Sequence, residues 1–303
     1  MPLSGNQKII KFLYFLSIIR WYNVLLMVLG QYFLALFVFA PDYSFHQIVF
    51  DKKLHLMVLS TIFTLAGAFV INAFYDADKD LVNRPKSALV GRAIGSTFLA
   101  NSYIVFNFLA LFFAFFATKK ILIFYFLYIV ICWFYSHKLQ KKPIIRELSA
   151  SLLTMAPLIA IWIHYGVWDW KLMYFFCTFL TLLFTKDVVK DLAGHKGNLI
   201  FGYNTVVVAA GKSKVKIGLV LFNMAIFLIF VGIYLIQKEH FYNNIDLIIG
   251  SSFTLIATIL ITAIGLSSWK NKYKRMDFML KFLITYQLTL PLFTFILKFI
   301  AKS

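Results

Sequence analysis

The chain has 303 residues, 61% of them hydrophobic and 35 of them phenylalanine, whereas soluble domains are about 45–50% apolar. That excess, with few Gly and Pro, excludes disordered and fibrous classes and indicates an integral membrane protein. The formal charge of +18 does not indicate nucleic acid as a partner, because the basic residues fall in short clusters between apolar runs, where the positive-inside rule places them.

The opening stretch "MPLSGNQKIIKFLYFLSIIR" has an early lysine and apolar residues but no small-residue cleavage site, so a removed signal peptide is not expected. A membrane span needs about 20 mostly apolar residues. Runs of this kind occur at residues 21–40, 54–74, 102–118, 121–135, 148–168, 172–185, 217–236, 246–266 and 278–297. No linker or low-complexity tract separates them, so one polytopic domain over residues 1–303 is expected. With the N-terminus in the cytoplasm, most of the 30 Lys and Arg residues fall before the first span and after the second, fourth, sixth and eighth. The loops after spans two, four and six then open on one face, the cytoplasmic side of a cell inner membrane. Trp162, Trp168 and Trp170 fit an interfacial aromatic belt on the other side. Cys132 and Cys177 lie inside apolar runs and read as small core residues rather than a disulfide or a zinc site.

The second span ends in "INAFYDADKDLVNRPK", which places Asn72, Asp76 and Asp80 at i, i+4 and i+8. Helical residues at that spacing share one stripe, while Asp78 points nearly the opposite way. The sixth span ends in "KDVVKD", with Asp187 and Asp191 at i, i+4. Two readings compete. The clusters are polar helix ends in water and headgroups, where ion pairs contribute little, or they are oxygen ligands facing a polar cavity. A carboxylate at membrane depth costs roughly 2.5–3.5 kcal/mol, which favours the second. Oxygen ligands in this number suit Mg²⁺, which takes one or two carboxylates plus substrate phosphates. His195, four residues after Asp191, is a poor basis for zinc without a cysteine nearby.

The first cluster resembles the N-x-x-x-D-x-x-x-D signature of the UbiA superfamily of intramembrane prenyltransferases. The continuation through Asn83 and Pro85 resembles its D-x-x-N-x-P extension, and "YSHKLQKKP", from Tyr135 to Pro143, is similar to its Y-S-x-x-L-K-x-x-P segment. Gln140 stands where that segment has lysine, and Lys141 follows it. "LLTMAPLI" in the fifth span has the same character. The resemblance covers almost the whole chain. It implies an all-α membrane protein with nine transmembrane helices around a central cavity.

It also implies Mg²⁺-dependent transfer of a prenyl group from an isoprenyl diphosphate to a lipophilic acceptor, a hydroxyl or an aromatic, within membrane lipid. Asp76, Asp80 and Asp191 are the implied catalytic residues. Asn72, Asp76, Asp80, Asp187, Asp191 and Asn198 are the implied metal ligands. Arg84, Lys86, Tyr135, Lys138, Lys141 and Asn23 are the implied substrate-binding residues; the basic ones among them also read as topology-setting charges, and Arg20, beside Asn23, as a boundary arginine. The second motif departs from the family pattern, because two of its aspartates fall on Gly194 and Asn198. Either Asp191, with Asp187 and the amide of Asn198, still serves, or the activity is weakened, altered or lost. The D-x-x-N-x-P extension is most like the branch with geranylgeranylglyceryl-phosphate and chlorophyll-type enzymes. A membrane transporter is the rival of another class, but neither inverted repeats nor paired broken helices are visible.

Overall fold

The computed structural model describes residues 5–39, 45–77, 94–166, 170–241, 245–268 and 272–300. Every regular element among them is a helix, as the unbroken apolar runs require: in lipid the backbone satisfies its own hydrogen bonds. The order is α1 (Gly5–Ile18), α2 (Trp21–Leu34) with a π-helical extension (Ala35–Phe39), α3 (Phe45–Val49), α4 (Lys52–Tyr75), α5 (Ser96–Ala117), α6 (Lys119–His137), α7 (Ile145–Tyr165) and α8 (Trp170–Ala193). Two short helices follow, α9 (His195–Ile200) and α10 (Val206–Ala210), and then α11 (Lys212–Phe241), α12 (Ile245–Ser268) and α13 (Lys272–Ile300). Nine helices among the described residues are long and apolar enough to cross a membrane, and they coincide with the nine runs read from the sequence.

The ends differ from those expected. The third span begins at Ser96 rather than 102, the fifth at Ile145 rather than 148, and α8 runs to Ala193 rather than stopping at 185. The "KDVVKD" stretch therefore forms the last turns of α8, which keeps Asp187 and Asp191 at the helical i, i+4 spacing.

Polar side chains tie the spans together. Pro157 sits inside α7 and has no N–H to offer the carbonyl of Leu153. The Tyr128 hydroxyl of α6 donates to that carbonyl at 2.7 Å instead. Gln31 of α2, fully buried, donates to the Pro157 carbonyl at 2.8 Å and to Thr61 of α4 at 2.9 Å. Interhelical bonds of this kind average about 0.6 kcal/mol each in a membrane, so they orient helices more than they stabilise the bundle.

Two spans are the most enclosed. In α4 61% and in α8 72% of the spanning residues are buried, against 17% in α5 and α11. Asp76 and the Asp187–Asp191 pair therefore sit at the ends of the two innermost helices, inside the bundle's rim rather than on its lipid face.

Candidate active site

Helix α4 ends at Tyr75, and Asp76 caps it, its N–H bonded to the Asn72 carbonyl at 2.9 Å. Asn72 and Asp76 thus keep the shared face expected of i, i+4. Asp76 is buried. The Asn72 Oδ1 is also buried and has no hydrogen-bond partner. Asp78, Asp80, Arg84 and Lys86 lie outside the described residues, as does Trp168.

The second cluster is tied up by cations. Asp191 is 3% exposed and forms an ion pair with the guanidinium of Arg146, itself 6% exposed at the start of α7. Glu147, next to it, is 1% exposed; its Oε1 lies 3.8 Å from the same guanidinium and accepts the Val206 N–H at 3.2 Å. Asp187 pairs with Lys186 at 3.0 Å. Asn198 is buried in α9 with its amide nitrogen unpartnered, and Gly194 caps that helix.

Tyr203 joins the clusters. It follows α9, its N–H bonds the Asn198 carbonyl at 2.9 Å, and its buried hydroxyl donates to Asp76 Oδ1 at 3.1 Å. The Lys141 ammonium, exposed, lies 6.0 Å from the centre of the Tyr203 ring. Tyr135, half-buried near the end of α6, is within electrostatic reach of Arg146, Asp187, Asp191 and Asp76 together. Four chain segments therefore meet at one end of the bundle: the end of α4, the end of α6 with the turn after it, the start of α7, and α8 with α9.

Other expected residues are less central. Lys138 is exposed, its ammonium over the Phe134 ring. Gln140, at the position of the family lysine, is buried and donates to the Ser136 carbonyl at 2.5 Å, so Lys141 is the cation that this turn presents toward Tyr203. Asn23 is half-buried near the start of α2, and Arg20 stacks on Phe69, one turn before Asn72 on α4. His195 has a buried Nδ1 without a hydrogen-bond partner. Burial, and then the charge of Lys212, holds its imidazole below the ordinary range. Arg146, Glu147 and Tyr203 were not singled out from the sequence. The one signal for the first two was an adjacent Arg–Glu pair heading an apolar run.

Among the described residues, no three His, Cys, Asp or Glu side chains group as a closed metal cage. The first cluster nonetheless fits a hard cation, since the buried Asn72 oxygen without a partner sits one turn from the Asp76 carboxylate. The second cluster does not fit one, because Asp187 and Asp191 are each already held by a side-chain cation. A separate cavity of ≈ 480 Å³, lined by Tyr174, Phe227, Phe230, Tyr234 and Phe253 among others, opens between α8, α11 and α12. Tyr174 is 13 residues from Asp187, or roughly 20 Å along α8, so this cavity is remote from the carboxylates.

The profile of the UbiA prenyltransferase family matches residues 28–283. The chain belongs to that family. A digeranylgeranylglyceryl phosphate synthase from Pyrococcus horikoshii is 27% identical over 167 residues, covering 54% of this chain. The matched stretch spans 58% of that protein, a little over half the length of the curated relative. Among solved structures, a UbiA homologue from Archaeoglobus fulgidus bound to GPP and Mg²⁺ superposes with a TM-score of 0.68 at 17% identity, over 91% of this chain and 99% of that one. A digeranylgeranylglyceryl phosphate synthase structure gives 0.66 at 18% identity, over 93% and 97%. At these identities the structural likeness establishes the fold.

Proposed function

We propose that this member of the family transfers a prenyl group from an isoprenyl diphosphate to the hydroxyl of a lipophilic acceptor, on the cytoplasmic side of the membrane. The observation that carries the reading is the junction of Asp76, Tyr203, Lys141, Tyr135 and Arg146 at one end of an otherwise apolar bundle. A buried Asp76 carboxylate and a buried Asp187–Asp191 pair held by cations are costly in a bilayer and suit a highly charged ligand with an apolar tail.

Asn72 and Asp76 would hold Mg²⁺, with Asp80, which lies outside the described residues, as the further ligand that the family motif implies. When bound, the metal supplies Lewis acidity to the leaving diphosphate. The remaining work belongs to the chain. Tyr203 donates to Asp76 and fixes its carboxylate. Lys141, exposed near Tyr203, offers a cation to the phosphate oxygens, where charge grows as the allylic C–O bond breaks. The diphosphate leaves with the electron pair, the acceptor oxygen forms the new C–O bond, and its proton is released. Aromatic faces attract cations, and the half-buried Tyr75 and Tyr135 lie beside the carboxylates, whereas Phe74 and Phe134 are exposed.

Likeness to a synthase of digeranylgeranylglyceryl phosphate supports a hydroxyl acceptor over an aromatic one. The test is a mass-spectrometric screen of prenyl donors of several lengths against glycerol-based and phenolic acceptors, with and without Mg²⁺. Prenylation of a hydroxyl lipid that is lost with Asp76→Ala supports the reading. Unimpaired transfer by Asp76→Ala overturns the site, and turnover of phenols alone overturns the acceptor class.

A further inference from the structure

We infer that Arg146 is a built-in cation occupying the place of a second divalent metal, so that the site works with one metal ion, at the Asn72–Asp76 cluster. The inference rests on the prenyl-transfer reading above and deepens it. A guanidinium is always charged, and here it is buried, a placement tolerated only with strong compensation. Asp191 supplies that compensation directly and Glu147 lies 3.8 Å away. The ion pair takes the Asp191 carboxylate, Lys186 takes Asp187, and Gly194 and Asn198 offer no further carboxylate. A divalent cation entering this cluster would have to displace Arg146 and leave its charge buried beside the new one.

Arg146 also has capacity left for a ligand. Its Nε is buried with no hydrogen-bond partner. A fork of N–H donors with one edge on a carboxylate and another unmet suits a phosphate oxygen. Its charge acts on the same Tyr135 hydroxyl that feels Asp76, so it belongs to the same junction as the first cluster rather than to a remote structural pair. Arg146 therefore helps neutralise the diphosphate without a metal of its own.

The experiment counts metal ions. Full-length protein in nanodiscs is saturated with geranyl S-thiolodiphosphate, a donor that resists cleavage, and titrated with Mn²⁺ while bound metal is read by electron paramagnetic resonance. One Mn²⁺ per chain is expected; two per chain overturns this inference while leaving the prenyl-transfer reading in place. A chain that binds neither Mn²⁺ nor the analogue overturns the prenyl-transfer reading beneath it. Arg146→Lys should keep one Mn²⁺ per chain, whereas Arg146→Gln should weaken analogue affinity at least ten-fold. Unchanged affinity in Arg146→Gln removes Arg146 from the ligand site. Arg146→Gln combined with Gly194→Asp and Asn198→Asp should raise the count to two.

Discussion

Replacing Arg146 by glutamine should destabilise the protein severely, through the charges it leaves behind. Asp191 and Glu147 are 3% and 1% exposed, so neither is hydrated enough to bear an unpaired charge. Removing one partner of a buried pair costs about 3–5 kcal/mol. At about 2–4 °C per kcal/mol for chains of comparable size, the melting temperature should fall by roughly 6–20 °C. Cys132 is buried and Cys177 half-buried, so a thiol-reactive dye reports unfolding in detergent as they emerge. The double replacement Arg146→Leu with Asp191→Leu removes both charges and should recover much of the loss, since apolar substitutes for a whole buried pair are often neutral or stabilising. If Arg146→Gln melts within about 1 °C of the parent, less than 1 kcal/mol on that scale, the pair is not a dry ion pair and the reasoning fails. The same result would follow if the double variant melted below both single ones.

Three further outcomes are expected. Tyr203→Phe keeps the ring against Lys141 but removes the bond to Asp76, worth about 1.5–3 kcal/mol for a charged partner; kcat/KM for prenyl transfer should fall about ten-fold or more, and an unchanged value would remove Tyr203 from the site. Tyr128→Phe orphans the Leu153 carbonyl that Pro157 leaves free, and should cost about 1 kcal/mol, above the membrane average because the carbonyl is left unmet; the loss measured by thermal melting should shrink in a Pro157→Ala background, whose N–H can reach that carbonyl. His195 has its folded pKa below the unfolded value near 6.5, so the unfolded state takes up the proton first as pH falls. Stability should drop progressively below about pH 6.5, and His195→Gln should flatten that part of the melting-temperature profile.

The nine spans were legible because hydropathy is a local property, and the carboxylates because an aspartate inside an apolar run is conspicuous. Their ends were less so. A window that rejects charge stops α8 at 185, yet the helix continues because Asp187 and Asp191 meet Lys186 and Arg146 inside the protein rather than water. The i, i+4, i+8 spacing described Asn72 and Asp76 correctly, but Asp76 already lies past the last residue of α4. The partners were hidden for a different reason. Tyr203 is 127 residues from Asp76, and Arg146 is 45 from Asp191. Neither pairing leaves a local pattern, and a tyrosine in an aromatic-rich chain carries no mark of its own.

Arg146 was hidden by a rule that is otherwise sound. It stands in the cluster with Lys138, Lys141 and Lys142, whose positions the positive-inside rule already accounts for. Those three lysines are exposed and Arg146 is buried, so one cluster serves two purposes. What separates them is the adjacent acid. The chain has only 12 Asp and Glu residues, and topology gives no reason to place Glu147 at the head of an apolar span. An acid there next to an arginine, after a run of lysines, means that the arginine's charge is needed inside the bundle. Positions 194 and 198 then complete the logic: where two carboxylates of the family pattern are missing, less negative charge remains to hold a divalent ion, and a monovalent guanidinium matches what is left. The absence of acid at positions 194 and 198 and the buried base on α7 fit one electrostatic balance, and changing either alone should be worse than changing both.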